Sequence, residues 1–180
     1  MNIKFAKVFD VKTPNRNNSD LNVGVDFYMP AYSREFMVQL SEKNSNNDVK
    51  CFLARLDDKD LKMYIEIGPH SQVNIPSGIR VILPTDRCLN AFNKSGIATK
   101  YGLLVGAQLI DPNYRGQIHI NLHNNTDKVV RLEEGQKIAQ FVELEFYTDP
   151  WEEIEVDQYE AEPMPDDRGT RGFGEGTGSF

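Results

Sequence analysis

An all-β domain, a sandwich or barrel built from many short strands, is the fold class this sequence predicts. Three observations predict it. Short β-branched runs such as Ile65-Glu66-Ile67 and Ile79-Arg80-Val81-Ile82-Leu83 each run into turn residues. Alternation of apolar and polar side chains in Ile118–Leu122, Val129–Leu132 and Ile138–Val142 marks strands with one buried face. Turn clusters stand between the runs, at Pro69-His70, Pro76-Ser77-Gly78, Pro112-Asn113, Asn124–Asp127 and Glu134-Gly135. Many short strands at such spacing favour a sandwich or barrel over separate helical layers.

Three segments break the pattern. Residues 33–62 are polar and charged, with Ser41–Asp48 at their centre. They are expected to form a partly mobile insertion loop, with a short helix around Leu56–Leu61. Residues 149–167 are acidic, hold three prolines and carry an isolated Trp151; that composition buries little and suits an extended arm. The arm leads to a glycine-rich end, Arg168–Gly178. The expected division is a β domain over 1–148, with its insertion at about 33–62, and an arm over 149–180. No tandem repeat is present.

The chain has 180 residues, enough for one domain with a substantial core. No apolar run approaches the roughly 20 residues of a membrane span, and Met1–Phe5 lacks the apolar stretch of a signal peptide. A cytoplasmic location and no membrane partner are therefore expected. The two cysteines, Cys51 and Cys88, are too few for a disulfide framework and read as reduced thiols. A formal net charge of −7 argues against nucleic-acid backbone binding. It does not exclude a small polyanion held by a few cations, backbone N–H groups and a metal ion.

Several motifs could carry such chemistry. In Arg168–Gly178, glycine backbone can expose several N–H groups to a phosphate, the arginines can pair with it bidentately, and Phe173 can stack on a base; a disordered glycine-rich terminus is the alternative. The run is not a Walker A loop, since the Gly-Lys-Ser/Thr ending is absent. In Gly106–Gly116, Asp111 follows an apolar strand and precedes a Pro-Asn turn. It can act as a general base toward water or simply start the turn. Lys94-Ser95-Gly96 offers a cation, a hydroxyl and an accessible N–H, in a tripeptide common enough to be weak alone. His119 and His123 share a strand face but stand about 13 Å apart, too far for one ion, and His70 sits alone, so no protein-ligated zinc site is expected.

Taken in order, five segments resemble the five motifs of the homotrimeric dUTPase family. Asn22–Tyr28 resembles the first, usually Ala-Gly-Tyr-Asp-Leu, and Asn93–Gly96 the second, usually Pro-Arg-Ser-Gly. Gly106–Gly116 resembles the third closely, including Ile-Asp-x-x-Tyr-Arg-Gly; Gly135–Phe141 resembles the fourth and Arg168–Gly178 the fifth. Ile75-Pro76-Ser77-Gly78 is similar to the family's Leu-Pro-Ser-Gly. The likeness spans about residues 5–32 and 63–180.

The resemblance implies a jelly-roll-like β-barrel forming a homotrimer, with the C-terminal arm exchanged onto a neighbour and each site built from three subunits. It implies Mg²⁺-dependent hydrolysis of dUTP to dUMP and pyrophosphate, limiting uracil incorporation into DNA and supplying dUMP for dTMP synthesis. Asp111 would be the general base toward the water that attacks the α-phosphorus. Backbone groups of Gly106, Ala107 and Gln108 would pair with uracil in a β-hairpin, and Tyr114 would stack under deoxyribose. Lys94, Ser95 and Gly96 would hold the α- and β-phosphates. Mg²⁺ would sit mainly on the substrate phosphates, with Asp26 and Gln140 in its outer shell through water, and Gln140 would also support the phosphates. Arg168 would contact the γ-phosphate, and Phe173 would close over uracil beside Gly174 and Thr177.

Four departures stand out: Lys94 for arginine, Asn93 for proline, Arg171 for a glycine, and Glu175-Gly176 for a serine with one residue added. The insertion at 33–62 is foreign to the family pattern and is either a passive loop or a partner-binding surface. Two rival readings remain at this point. A dCTP deaminase on the same fold would carry an Arg-Ser-Ser motif and a catalytic glutamate, a pattern not found here. A nucleotide-sensing interaction protein would use the insertion for its partner.

Overall fold

The computed structural model describes residues 3–17, 21–55 and 61–163, of residues 51–55 and 61–62 the backbone alone. It divides into two units, Met1–Tyr147 and Thr148–Phe180. Alternation of side chains builds three antiparallel sheets in the first unit. One sheet runs β1 (Lys4–Lys7), β5 (Gln72–Ile82), β9 (Gln117–Asn124), β7 (Leu103–Val105). A second runs β2 (Val25–Tyr28), β11 (Lys137–Glu145), β6 (Arg87–Phe92), β8 (Leu109–Ile110). A third runs β10 (Val130–Glu133), β4 (Leu61–Ile67), β3 (Val49–Arg55). The inward positions Ile75, Ile79, Ile118, Ile120, Leu122, Ile138 and Phe141 are all but sealed from solvent, each stabilising the fold by about 2 kcal/mol on burial. The all-β expectation holds.

One expected turn is not a turn. Pro76-Ser77-Gly78 lies inside β5, whose register with β9 shifts between Pro76 and Arg80. Proline has no N–H for the ladder and Gly78 takes φ +75°, so the strand bulges there instead of ending. Ser77 Oγ accepts from Ile79 N at 3.2 Å within the bulge. From Ile79 to Ile82 the strand also pairs on its other edge with β1, Lys7 opposite Ile79 and Lys4 opposite Ile82, while Arg80 still faces Gln117 of β9.

The insertion also differs from expectation. Residues 34–43 form helix α1 (Arg34–Lys43), capped by Ser33, whose Oγ accepts from Phe36 N at 3.2 Å. Phe36 and Leu40, one turn apart, point into the core at 0% and 2% exposure. Phe36 meets Phe9 edge-on and stacks on Tyr32. Asn44 then locks the helix end to β5: its amide nitrogen donates to Leu40 O and Asn74 O, and its oxygen accepts from Asn74 N at 2.7 Å. Residues 49–55 are strand β3, so within residues 33–55 a helix and a strand stand where a loop was expected. High polarity misled the reading because only two of the helix's faces' residues need be apolar when a short helix covers one sheet. The short helix expected around Leu56–Leu61 falls outside the described residues, except for Leu61, which opens β4.

In the second unit the acidic segment is not wholly extended. Helix α3 (Val156–Ala161) forms there, with Gln158 Oε1 accepting from Glu155 N at 3.1 Å and no residue buried. Cys88 is a buried free thiol. No helix among the described residues is long and apolar enough to cross a membrane.

Phe36→Ala is expected to lower stability by about 3–4 kcal/mol, the usual loss for a sealed aromatic, measured as a shift in the urea midpoint. An unchanged midpoint would mean that α1 is not part of the core.

Candidate active site

The centre of the site is a buried carboxylate on β2. Asp26 is 1% exposed. Its backbone is held on both sides, by Gln140 of β11 in the sheet register and by Asn15, whose carbonyl accepts from Asp26 N at 2.7 Å. Lys94 Nζ lies 2.7 Å from one carboxylate oxygen and Lys137 Nζ 2.8 Å from the other. Asn17 Nδ2 donates to that second oxygen at 2.7 Å. Burial pushes the Asp26 pKa up, but hydrogen bonds to Lys137 and Lys94, and their charges, outweigh it and hold the carboxyl below its ordinary range. The same contact raises the Lys137 pKa.

A register break explains why Lys137 and Gln140 both reach this place. Three residues apart, they would face opposite sides of a regular strand. The pairing of β11 with β2 shifts between Lys137 and Ala139, and both Ile138 and Ala139 are buried. Gln140 Nε2 donates to Asn93 O at 3.0 Å. A Cβ on Gly24 would come within 2.6 Å of Gln140 Oε1, so glycine is what admits the amide. Lys94 stands at the N-terminal boundary of helix α2 (Ser95–Tyr101), its carbonyl accepting from Ile97 N and Ala98 N at 2.9 Å. Ser95 and Gly96 begin this helix, exposed. Open space lies where a Cβ on Gly96 would sit, so the chain's own packing does not require glycine there.

Gly106–Gly116 forms a second group. Here β7 pairs with β9 and β8 pairs with β6, so the segment crosses from one sheet to another instead of folding as the expected hairpin. The crossing is pinned by Gly106 N to Asn121 O at 3.0 Å and by Ala91 N to Gln108 O at 2.8 Å. A Cβ on Gly106 would collide with Asn121 Oδ1 and His123 Nε2. Among the described residues the Ala107 N–H and C=O and the Gln108 N–H have no hydrogen-bond partner. Asp111 follows β8, is exposed, and starts a turn in which its carbonyl accepts from Tyr114 N at 3.1 Å. Tyr114 folds back over Gly116, where a Cβ would strike its ring, and donates its hydroxyl to Gln117 O at 2.8 Å.

The structure thus gathers Asp26, Lys94 and Gln140, with Ser95 and Gly96 following Lys94. It places Gly106, Ala107, Gln108, Asp111 and Tyr114 on the crossing. No hydrogen bond or ion pair joins Asp111 to the Asp26 group among the described residues. Arg168, Phe173, Gly174 and Thr177 lie outside the described residues. Sequence reasoning did not single out Lys137, Asn17 or Asn93 as site residues. The signal for Lys137 was its place three residues before Gln140, legible only once the strand is known to bulge.

Among the described residues no group of three or more His, Cys, Asp or Glu could hold a metal ion. Burial, and then the charge of Lys43, lower the His119 pKa, favouring a neutral ring. The Asp26 carboxylate already takes three donors, Lys94 on one oxygen and Lys137 and Asn17 on the other.

The dUTPase family profile matches residues 60–177. A deoxyuridine 5'-triphosphate nucleotidohydrolase of Candida albicans is 32% identical over 108 residues, 60% of this chain and 65% of that protein. The one from Dictyoglomus turgidum is 37% identical over 100 residues, 54% of this chain and 67% of that protein. A Chlamydia trachomatis serovar D protein of the same name is 33% identical over 112 residues, 61% of this chain and 74% of that one. Among solved structures, a Staphylococcus bacteriophage 80alpha dUTPase variant with dUpNHpp superposes with TM-score 0.68 at 16% identity, covering 97% of this chain and 98% of that one. A phage phi11 dUTPase variant, described for its coordination of a structural Mg(II) ion, gives TM-score 0.62 at 16% identity, covering 86% and 97%. At such identity these structures speak for the fold alone.

The Asp26 contacts have an acid signature. A carboxylate with a native pKa below the usual ~3.9 contributes stability that is fully present above that value and is lost as pH falls through the lowered native one. Asp26→Asn is expected to cost about 3 kcal/mol near neutral pH, as when a buried ion pair loses one partner. Its stability should also fall less steeply than that of the unaltered protein as the pH drops below about 4. Urea midpoints across this range test both, and parallel curves would contradict the second.

Proposed function

The chain belongs to the dUTPase family, and on that premise we propose that it hydrolyses dUTP to dUMP and pyrophosphate. The observation that carries this reading is the convergence of Asp26, Lys94 and Gln140, far apart in sequence, on one spot beside an exposed Ser95-Gly96. A compact cation set beside a small, uncrowded turn suits a polyphosphate.

The roles follow from the residues. The Ala107 N–H and C=O offer a donor and an acceptor side by side. Uracil presents the complementary acceptor and donor at adjacent positions; cytosine carries an acceptor where uracil has its N3–H, so it leaves the Ala107 C=O unpaired. Tyr114, its hydroxyl already engaged, offers a ring face to the sugar and crowds a 2′-hydroxyl. Lys94, Ser95 and Gly96 take the α- and β-phosphates, and Gln140 supports them. Asp111, exposed at the end of a strand and held by no cation among the described residues, takes the proton of the attacking water. The new bond forms between the water oxygen and the α-phosphorus, and the bond from that phosphorus to the bridging oxygen breaks, releasing pyrophosphate. Mg²⁺, when bound on the substrate phosphates, would supply charge neutralisation there. With Lys94 on the phosphates, Asp26 and Gln140 would hold its water. Arg168 at the γ-phosphate, and Phe173, Gly174 and Thr177 over uracil, complete the proposed site. The product dUMP would serve dTMP synthesis while removal of dUTP limits uracil in DNA.

We also propose a homotrimer. Ala107, Gln108, Asp111 and Tyr114 stand exposed on the single chain, which supports a site finished by neighbouring subunits. A protein partner for residues 33–62 is a second reading, favoured by the exposed Arg34, Glu35 and Val38 on the outer face of α1. Deleting the segment would remove Phe36 and Leu40 from the core, so substitution of those three surface residues is the fitting test; capture of the same proteins by both forms would end the idea.

Asp111→Asn is expected to keep dUpNHpp affinity while pyrophosphate release from dUTP falls by about 10²–10⁴-fold, the usual worth of a general base. Near-normal release by the variant would remove Asp111 from the chemistry. Absence of release by the unaltered protein, or ammonia release from dCTP, would overturn the reading itself.

A further inference from the structure

Two lysines share the Asp26 carboxylate on unequal terms. Lys137, Asn17 and Asp26 form a closed ring: Lys137 Nζ lies 2.8 Å from one Asp26 oxygen, Asn17 Nδ2 donates to that oxygen at 2.7 Å, and Asn17 Oδ1 accepts from Lys137 Nζ. Each member contacts the other two. Lys94 reaches only the other oxygen, at 2.7 Å. Its backbone is fixed at the start of α2, but its side chain is tied down at that one point among the described residues.

Resting on the dUTPase reading, we propose that Lys137 and Asn17 are positioning residues that hold Asp26 so that Lys94 can exchange between Asp26 and the substrate's phosphates. A buried carboxylate left with one partner fewer is costly. With the ring intact, Asp26 keeps two partners when Lys94 departs, so the exchange is shallow. With the ring broken, Asp26 depends on Lys94 and retains it, and the phosphates must compete for the cation. Lysine suits this exchange: it is a point charge on a flexible stem, without the rigid fork of arginine. Neither Lys137 nor Asn17 needs to touch the nucleotide.

Asn17 makes the test sharp, because removing its amide changes no charge. Asn17 sits at φ 53°, a conformation glycine adopts freely, so Asn17→Gly removes the ring without backbone strain. Isothermal titration with dUpNHpp and Mg²⁺ should show its Kd raised about tenfold, the worth of one hydrogen bond to a charged group. Inorganic tripolyphosphate should weaken in parallel, since Lys94 meets phosphate alone. In a Lys94→Met background Asn17→Gly should cause no further loss, because the effect passes through Lys94. Lys137→Met should weaken binding and Lys137→Arg, which retains the charge and a donor to both partners, should restore it. An unchanged Kd in Asn17→Gly, or an equal loss with and without Lys94, overturns the proposal. Failure of the unaltered protein to bind dUpNHpp would instead sink the dUTPase reading. If Asn17→Gly does not fold, the Lys137→Met and Lys137→Arg pair decides alone: no loss in the first, or no rescue in the second, refutes it.

Discussion

A carboxylate sealed from solvent must be paired, and that constraint organises the residues gathered around Asp26. Asp26 sits inside a sheet, between β11 on one side and Asn15 on the other. Its pairing requires cations from two other places in the chain, the boundary of α2 and the bulged start of β11. Meeting that requirement aligns Lys94 and draws Lys137 and Gln140 to one side of their strand, the place where the proposed reaction would receive its phosphates. The third sheet and α1 lie outside this dependence; they enlarge the core through Phe36, Leu40, Ile65 and Ile67.

Much of the fold was legible because burial writes period-two patterns into strands. Ile118–Leu122 and Ile138–Val142 were read as strands and lie within β9 and β11. The misreadings share a cause: local chemistry was overridden by tertiary demand. Pro76-Ser77-Gly78 has turn residues, yet the strand needs a bend, so the same residues make a bulge. Residues 33–43 look solvated, yet Phe36 and Leu40 suffice to seat a helix. The hairpin that the family resemblance implies around Gly106–Gln108 is replaced by a crossing, because the flanking strands β7 and β8 find partners in two different sheets, which no local pattern announces.

The site was legible by residue type and order, and less so by partnership. Asp26 precedes the span matched by the family profile, residues 60–177, yet it contacts Lys94 inside that span, which ties the N-terminal strand to the same site. That Lys94 rests on Asp26 could not be foreseen, since a strand and a helix boundary separated by 68 positions (94 − 26) meet only through the sheet order. Lys137 was hidden by the bulge. Asn17, in a polar stretch without periodicity, gave no signal at all.

In the proposed exchange, substrate phosphates take Lys94 from Asp26 while Lys137 and Asn17 keep the carboxylate paired. A crystal structure of the full chain with dUpNHpp and Mg²⁺ tests it most directly. Lys94 Nζ is expected on a phosphate oxygen, beyond hydrogen-bond distance of Asp26, with the Asp26–Lys137–Asn17 ring unchanged and Asp111 facing the α-phosphorus. Lys94 still seated on Asp26 beside bound nucleotide, or a ring that opens with it, would contradict the claim.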